Sequence, residues 1–408
     1  MPASPSTARA INDRLALRLL QEGPLTAGQL KQLTGLSRPT VADLVERLTA
    51  SGLIAVVGES GEQRRGPNAR LYGIVADLAH LAALDVRTEG VAVVVSDLLG
   101  EVLAEASVPI GGDTGTEPAL EQAVALVERA AKEAGADRLH TVGIGAPGLI
   151  APATGELRDS TGLPEWHRRL VAALQERFPD ARVIVENETN LAALAEQRDG
   201  AAHGRDTFVL LWLGHGTGAA VILDGALRRG ASGGTGEIGF LPVPGTDGLP
   251  SATGCEGGFH SLAGSAAITD LAREYGIPVP PAGHEPQAAV IVREAVTSAG
   301  TAAARFLDAL ADRVAVGVAS VAAVLDPGCV VLGGEVGQAG GEVLAARVEA
   351  RIRRMSPLPT EVRCSTLGGG AVLRGALLTA RESAQGELFG PGESGVPAEY
   401  PHLVPVPP

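Results

Sequence analysis

The chain has 408 residues, 45% of them hydrophobic and only 3% aromatic, so it can form two or three domains with cores of Ala, Val and Leu. It contains no run of about 18 uncharged apolar residues and no apolar signal segment at its start, which argues against a membrane protein and favours the cytoplasm. The three cysteines, Cys255, Cys329 and Cys364, have no metal or redox spacing, which fits a reducing compartment.

The charge is divided unevenly along the chain. The net charge is −14, but residues 1–75 carry nine Lys or Arg and six Asp or Glu, so this part is +3 and the remainder is −17. A basic module on an acidic body is expected where only one part of a protein meets DNA.

Three short helices are predicted near the start of the chain. Residues 1–7 are small and polar and are expected to be disordered, and residues 8–21 repeat apolar positions at helical spacing. Thr26 caps a second helix that stops at Gly35, and Ser37 caps a third with Pro39 in its first turn. The apolar face of the third helix is formed by Val41, Leu44, Val45 and Leu48.

A short helix, a turn with glycine and a second helix make a helix-turn-helix, and residues 53–57 and 69–74 predict a β-wing after it. The third helix offers five residues to base edges and phosphates in the major groove: Ser37, Arg38, Pro39, Thr40 and Asp43. Arg64, Arg65 and Arg70 of the wing are expected to reach the backbone or the minor groove. The alternative is a helical module that binds protein instead of DNA.

The body of the chain alternates strands and helices, which predicts an α/β fold with mixed sheets. Strands are predicted at 81–86, 91–97, 101–109, 139–145 and 181–187, with helices at 117–134 and from residue 189. The pattern then repeats, with hairpin strands at 207–224, helices at 263–274, 287–297 and 301–325, further strands near 329–333 and 361–364, and helices ending near Met355 and over 371–384. Residues 386–408 are rich in Pro and Gly and are predicted to be disordered.

A glycine-rich turn stands at the centre of the second half. Gly214, Gly216 and Gly218 interrupt an alternating apolar pattern, which is typical of a β-hairpin. Backbone without side chains can approach a phosphate closely. A plain hairpin turn explains the same glycines, so both interpretations stay open.

The stretch from 210 to 268 resembles the ROK family (repressors, open reading frames and sugar kinases). The resemblance rests on the glycine hairpin, on Asp224-Gly225 and on the segment 236–239, Gly-Glu-Ile-Gly. It covers residues 8–385 and implies a winged helix-turn-helix joined to a two-lobed, actin-like or ribonuclease-H-like ATPase fold. The implied domains are the winged helix at 1–75, lobe 1 at 76–200, lobe 2 at 201–385 with a last helix returning to lobe 1, and the tail at 386–408.

The zinc loop of that family is missing here. Phe240 stands in the place of the family's first ligand, a His, and the three cysteine positions hold Ser251, Thr253 and Gly258. Since tetrahedral zinc needs four ligands of the Cys or His type, no metal is expected.

The catalytic motifs of the family are also altered. The first phosphate loop, Asp-x-Gly-Gly-Thr-Lys in the family, is here the segment 85–90, which keeps Asp85 and places Arg87, Thr88 and Glu89 where backbone should meet phosphate. Glu188 replaces the catalytic Asp, and its extra methylene displaces the carboxylate by roughly an ångström, a shift that can cost about 100-fold in rate. The resemblance therefore implies a body without enzymatic activity and without a cofactor.

A sugar pocket is less altered than the catalytic motifs. Of the family's sugar-binding positions, four keep a polar side chain here, namely Asn187, Glu188, Glu237 and His260. Phe240 can only stack on a sugar face, and Gly162 replaces a sugar-binding Asn. A retuned effector pocket between the lobes and a polar cleft that binds nothing both fit these residues.

The resulting hypothesis is a transcriptional regulator, a repressor of carbohydrate-related genes. Its expected partners are double-stranded operator DNA and a sugar or sugar-phosphate effector, and it is expected to act as a homodimer or homotetramer, because a single helix-turn-helix contacts too few bases. Two alternatives are an ATP-dependent sugar kinase with an added DNA-binding domain and a non-enzymatic scaffold that binds protein.

Overall fold

The structure, a computed structural model, describes residues 5–60, 69–151, 157, 164–246, 248–251, 254, 256–281, 283 and 285–390. The chain forms two compact units, which are described separately. The first contains the described residues within 1–79, 97–101 and 381–408, and the second contains those within 80–96 and 102–380.

The first unit carries the predicted helix-turn-helix and wing. Its elements are α1 (Pro5–Gln21), β1 (Leu25–Thr26), α2 (Ala27–Thr34), α3 (Arg38–Ala50), β2 (Ile54–Ser60) and β3 (Ala69–Ile74). The strands form an antiparallel sheet in the order β1-β3-β2. The helices and the sheet enclose a small core, whose largest fully buried side chains are Leu17, Leu20, Leu30, Leu44 and Ile54.

Local hydrogen bonds explain where the two central helices begin and end. Thr26 and Gln29 form a reciprocal capping box at the start of α2, and Gly35 ends that helix in the left-handed conformation with φ of 69°. Ser37 caps α3, as predicted, and the four residues of the predicted apolar face are all buried. The helix α1 begins at Pro5, so part of the segment expected to be disordered is helical. Proline is well tolerated in a first turn, which the sequence prediction overlooked.

The second unit contains two five-stranded sheets with the same connectivity. The first sheet has the order β6-β5-β4-β7-β8 and the second has the order β11-β10-β9-β12-β13. In each sheet an antiparallel hairpin precedes two parallel strands. This repetition confirms the predicted α/β class and its mixed sheets.

The elements of the first half are β4 (His80–Arg87), β5 (Gly90–Ser96), β6 (Val102–Pro109), α4 (Thr116–Glu133), β7 (Leu139–Ala146), α5 (Glu165–Arg177), β8 (Arg182–Asn187) and α6 (Glu188–Asp199). The helix α5 was not predicted. Its signal was present, since Trp166, Leu170 and Leu174 repeat at a spacing of four and are buried.

The second half contains β9 (Phe208–Leu213), β10 (Thr217–Leu223), β11 (Ala226–Leu227), α7 (His260–Ala263), α8 (Ser265–Glu274), α9 (Gln287–Thr297), α10 (Thr301–Leu325), β12 (Cys329–Gly333), α11 (Gly334–Met355), β13 (Glu361–Cys364) and α12 (Ala371–Leu388). The predicted helix over 263–274 is wrong at its start, because Gly264 is extended and separates α7 from α8. The helix α12 reaches Leu388, so it includes residues that were assigned to the tail, while residues 391–408 lie outside the described part.

The helix α12 packs closely on the first sheet and on α6. A methyl group added at Gly143 of β7 would lie 2.5 Å from the Ala376 carbonyl oxygen, and one at Gly375 would lie 2.0 Å from the Leu191 carbonyl oxygen. These approaches exist only because glycine has no Cβ. They fix α6, and with it the corner between β8 and α6, against the C-terminal helix.

Within the described residues, no helix is both apolar and long enough to cross a lipid bilayer.

Candidate functional site

The first turn of α3 forms an exposed polar surface in the first unit. Ser37 Oγ accepts a hydrogen bond from the Thr40 amide at 3.3 Å and lies 2.8 Å from Thr40 Oγ1. Arg38 and Pro39 are exposed, and Thr40 is half-buried. The hydroxyl of Ser37 therefore caps the helix, whereas the side chain of Arg38 extends from the same turn and does not cap it.

Asp43 belongs to an ion-pair network and not only to the exposed surface. Arg47 pairs with Asp43 one turn earlier on α3 and with Asp13 of α1, whose Oδ1 lies 2.6 Å from Arg47 Nη2. The pKa of Arg47 is raised, chiefly by its hydrogen bond to Asp13. This network fixes α3 against α1, so Asp43 also serves to orient the helix.

The wing is partly described. In the register of β2 and β3, Glu59 stands opposite Arg70, which is exposed. Arg64 and Arg65, which were predicted to contact DNA, lie outside the described residues.

The second candidate site lies at the corner between β8 and α6 in the second unit. Asn187 caps α6, because its Oδ1 accepts the amides of Thr189 at 2.8 Å and Asn190 at 3.3 Å. Its Nδ2 donates to the Gly148 carbonyl at 2.9 Å. Asn187 therefore holds the loop after β7 beside the start of α6, and both ends of its side chain take part in this structural contact.

Glu188, the first residue of α6, has unusual surroundings. Its Oε2 atom is buried and has no hydrogen-bond partner among the described residues. Burial raises the pKa of Glu188 to about 7, and the negative charges of Asp85, Glu237 and Glu335 add to the increase. The charge of Glu188 is thus disfavoured by three other carboxyl groups, which come from three separate segments of the chain.

Glu237 and His260 both belong to the second half of the second unit. Burial raises the pKa of Glu237 and lowers that of His260, so both side chains favour their neutral forms. A methyl group at Gly239 would lie 3.7 Å from His260 Cβ and 3.1 Å from the Thr217 carbonyl oxygen, which places α7 beside the start of β10. Of the four predicted effector residues, Glu188 and Glu237 are linked by the effect of the Glu237 charge on Glu188.

Arg87 occupies the segment that resembles the first phosphate loop. Its Nε donates to Asp85 Oδ2 at 2.9 Å, its Nη1 lies 3.4 Å from Glu335 Oε1, and its Nη2 donates to the Gly369 carbonyl at 3.3 Å. Asp85 is buried, and this desolvation raises its pKa despite the neighbouring guanidinium. One side chain of the first sheet is therefore bound to the start of α11 and to the loop before α12.

The glycine turn is a hairpin, as predicted, with the Gly214 amide bonded to the Gly216 carbonyl at 3.0 Å. A methyl group at Gly214 would lie 2.6 Å from Glu335 Oε2, so a carboxylate of this chain fills the space that the glycine opens. Gly334 has φ of 74° and approaches the Leu213 carbonyl, so packing alone explains that glycine.

The described residues contain no group of three or more Cys, His, Asp or Glu side chains arranged to hold a metal ion. Ser251 and Gly254 pair through their backbones, and Phe240, in the place of the family's histidine, is 40% exposed. Thr253 and Cys255 lie outside the described residues, as does Gly162. The residues at the described ligand positions of this loop are not of the Cys or His type that tetrahedral zinc needs.

The sequence interpretation missed Glu335 and His167. Glu335 directly follows Gly333-Gly334 and belongs to none of the motifs that were considered in the sequence. His167 is almost fully buried beside the backbone of Arg87, and burial lowers its pKa to about 4. Its signal was weak, since a histidine beside a core tryptophan gives no spacing pattern.

Comparisons with known proteins support the two-part organisation. The model of the ROK family matches residues 81–383, and a model of the MarR family matches residues 11–66. A xylose repressor from Caldicellulosiruptor bescii is 28% identical over 240 residues, which cover 58% of this chain and 59% of the repressor. A glucokinase from Halalkalibacterium halodurans is 30% identical over 256 residues, which cover 59% of this chain and 76% of the glucokinase.

Among solved structures, a ROK family transcriptional regulator, a homologue of the Escherichia coli MLC protein, superposes with a TM-score of 0.74 at 21% identity. The superposition covers 94% of this chain and 98% of that regulator, which confirms the predicted fold. The family match spans most of the chain, from the first strand of the second unit into its last helix. The chain belongs to the ROK family.

Proposed function

We propose that this protein is a DNA-binding transcriptional regulator that represses carbohydrate-related genes and responds to a sugar bound at the β8–α6 corner. The observation that carries the proposal is the exposed first turn of α3, where Arg38 stands beside the capped Ser37 and Thr40. A helix presented in this way fits the major groove, and its N-terminal residues are those that meet base edges. The similarity to a xylose repressor supports the same function.

The second unit supports a binding role without catalysis. A sugar kinase must hold a triphosphate and stabilise the transferring phosphoryl group. Here Arg87 is bound to Asp85 and Glu335, and Glu335 lies against the glycine hairpin. Arg87 and the glycine hairpin, which would contact phosphate in a kinase, thus contact carboxylates of this chain instead. A sugar bound among Glu188, Glu237 and His260 would change operator affinity through the closure of the two sheets.

Specific binding requires more than one recognition helix, so we expect a dimer or tetramer on a two-fold operator. The test is gel-shift binding of the purified protein to DNA from its own upstream region. Ser37 should be left intact, because its replacement would also remove the cap of α3. The informative variant is Arg38→Ala, and the matched control is Arg138→Ala, which removes an exposed arginine of the second unit.

The proposal predicts a sequence-specific shift that weakens with salt, is lost or reduced by at least about tenfold in Arg38→Ala, and is unchanged in the control. If the wild type binds none of its upstream fragments more tightly than unrelated competitor DNA, the regulator function is wrong.

A second function, an ATP-dependent sugar kinase, is favoured by one observation. The pKa of Glu188, raised to about 7, suits a general base near neutral pH. The similarity to a glucokinase points to the same chemistry. An activity assay decides between the regulator and the kinase. The protein is incubated with ATP, magnesium and glucose, xylose or N-acetylglucosamine, and ADP is then measured. ADP formation that depends on a sugar and disappears in Glu188→Gln would establish the kinase.

A further inference from the structure

The carboxylate of Glu335 fills the space beside Gly214 in the second unit. Its Oε2 approaches Gly214 so closely that even a methyl group there would lie 2.6 Å away. The Gly214 amide is closed onto the Gly216 carbonyl within the hairpin, so the turn keeps its shape while the carboxylate lies against it. The hairpin therefore receives an anionic group that the protein itself supplies.

The cation beside this space is also neutralised from within. Arg87 Nη1 lies 3.4 Å from Glu335 Oε1, and its Nη2 lies 2.8 Å from Asp85 Oδ2. Arg87 is about one-third exposed, whereas the Asp85 side chain is buried. A guanidinium that is already shared between two carboxylates has little attraction left for a third anion.

The remaining charges near Glu335 are negative. Glu188 interacts with Asp85, Glu237 and Glu335, and these negative charges raise its pKa further above the value that burial gives it. Arg87 is itself acted on by the negative charges of Asp85, Glu335 and Glu89, so the carboxylates around this space outnumber its arginine. A phosphate dianion placed here would meet net negative charge, whereas hydroxyl groups would find hydrogen-bond acceptors.

We propose that Glu335 is an internal substitute for a phosphate group, which reserves the cleft for uncharged polyhydroxyl ligands and excludes their phosphorylated forms. This inference rests on the proposed effector cleft and specifies the chemical class of its ligand. It assigns Glu335 and Arg87 as the residues that determine specificity.

The first test uses inorganic pyrophosphate as the probe, because it presents phosphate groups without a sugar. Binding is measured by calorimetry at constant ionic strength, adjusted with sodium chloride, for the full-length wild type, Glu335→Ala, Glu335→Gln and the double variant Arg87→Gln with Glu335→Ala. We expect Glu335→Ala to bind pyrophosphate at least 10-fold more tightly than the wild type does. Glu335→Gln should bind with intermediate affinity, since it loses the charge but keeps the volume.

The gain should disappear in the double variant, because Arg87 is the group released by the loss of Glu335. Circular dichroism identifies a variant that fails to fold. Because Glu335→Gln leaves the Asp85–Arg87 pair intact, it provides the test by itself if the other variants fail. Wild-type binding of pyrophosphate as tight as that of Glu335→Gln, or a gain that persists without Arg87, would overturn the proposal.

The second test compares glucose with glucose 6-phosphate, and xylose with xylose 5-phosphate, as ligands that raise the melting temperature of the wild type. The proposal predicts that stabilisation appears only with unphosphorylated sugars, and stabilisation by a phosphorylated member alone contradicts it. The gel shift with Arg38→Ala is read separately. Failure of the wild type to bind any operator would end the regulator function and leave the pyrophosphate result standing, and failure of the pyrophosphate test would leave the operator result standing.

Discussion

Arg229 Nε donates a hydrogen bond of 2.6 Å to Oε2 of Glu186, a carboxylate whose side chain is only 7% exposed. The other oxygen of Glu186 accepts the Asn187 amide and the Asn190 side-chain amide, each at 2.9 Å. This buried carboxylate therefore joins the end of β8, the first turn of α6 and the segment after β11. The Asn187–Glu188 corner depends on it for its position.

The first prediction concerns this pair. Arg229→Met keeps an unbranched apolar stem but leaves the charge of Glu186 buried without its ion-pair partner, and we expect a loss of about 3 kcal/mol in the free energy of unfolding. The matched control is Arg228→Met, since Arg228 pairs with the exposed Asp224 and its loss should cost less than about 1 kcal/mol. Calorimetric unfolding of both variants measures the difference, and equal losses would contradict it.

The second prediction is a dependence of stability on pH caused by Glu188. The folded-state pKa is about 7 against an ordinary value of 4.5, so between these pH values the folded protein keeps a proton that the unfolded chain releases. The free energy of unfolding therefore falls as pH rises through this window, by up to about 3 kcal/mol, and is constant above it. Glu188→Gln removes this loss.

We expect Glu188→Gln to be more stable than the wild type at pH 8 and to differ little from it at pH 4.5. The dependence of stability on pH that His167 causes has the opposite sign. Its pKa is lowered from 6.5 to about 4, so its contribution to stability is lost as pH falls through that range. Melting temperatures of the wild type and of Glu188→Gln between pH 4 and pH 8 test the assignment. A constant difference across this range would refute it.

The third prediction compares two glycines of α12. Gly375→Ala would place a methyl group 2.0 Å from the Leu191 carbonyl oxygen, so α12 must move away from α6, at a cost of about 2 kcal/mol or more. Gly386 lies on the same helix with no atom within 4 Å of its added methyl group, and Gly386→Ala should be neutral or stabilise by up to about 1 kcal/mol. Chemical denaturation of the two variants should give changes of opposite sign or of clearly different size.

The fourth prediction concerns the start of α2. Thr26→Ala removes the acceptor of the Gln29 amide and disrupts the capping box, which should cost about 1 kcal/mol. Thr49→Ala is the control, since Thr49 is an exposed residue near the end of α3 that caps no amide. Hydrogen exchange of the α2 amides should accelerate about fivefold in the first variant only. Acceleration in both would show that the cap is not the cause.

Much of the first unit could be predicted because its signals are local. The caps at Thr26 and Ser37, the stop at Gly35 and the apolar face of α3 all act within about one turn of helix, where neighbours in sequence are neighbours in space. The predicted start of α8 at residue 263 was wrong, because the sequence does not show how closely the folded backbone packs there. A methyl group at Gly264 would lie 2.8 Å from His260, and this crowding is visible only in the folded chain.

The sequence by itself determined the alternation of strands and helices, the repeated hairpin-and-crossover pattern and the loss of the family's zinc and phosphate motifs. It did so because periodicity, capping and the identity of a residue at a motif position do not depend on distant parts of the chain. Only the tertiary structure decided that Arg87 meets Glu335, 248 residues away, and that Glu335 lies against Gly214. An ion pair across two sheets depends on where both strands end in space, and no spacing along the chain encodes that position.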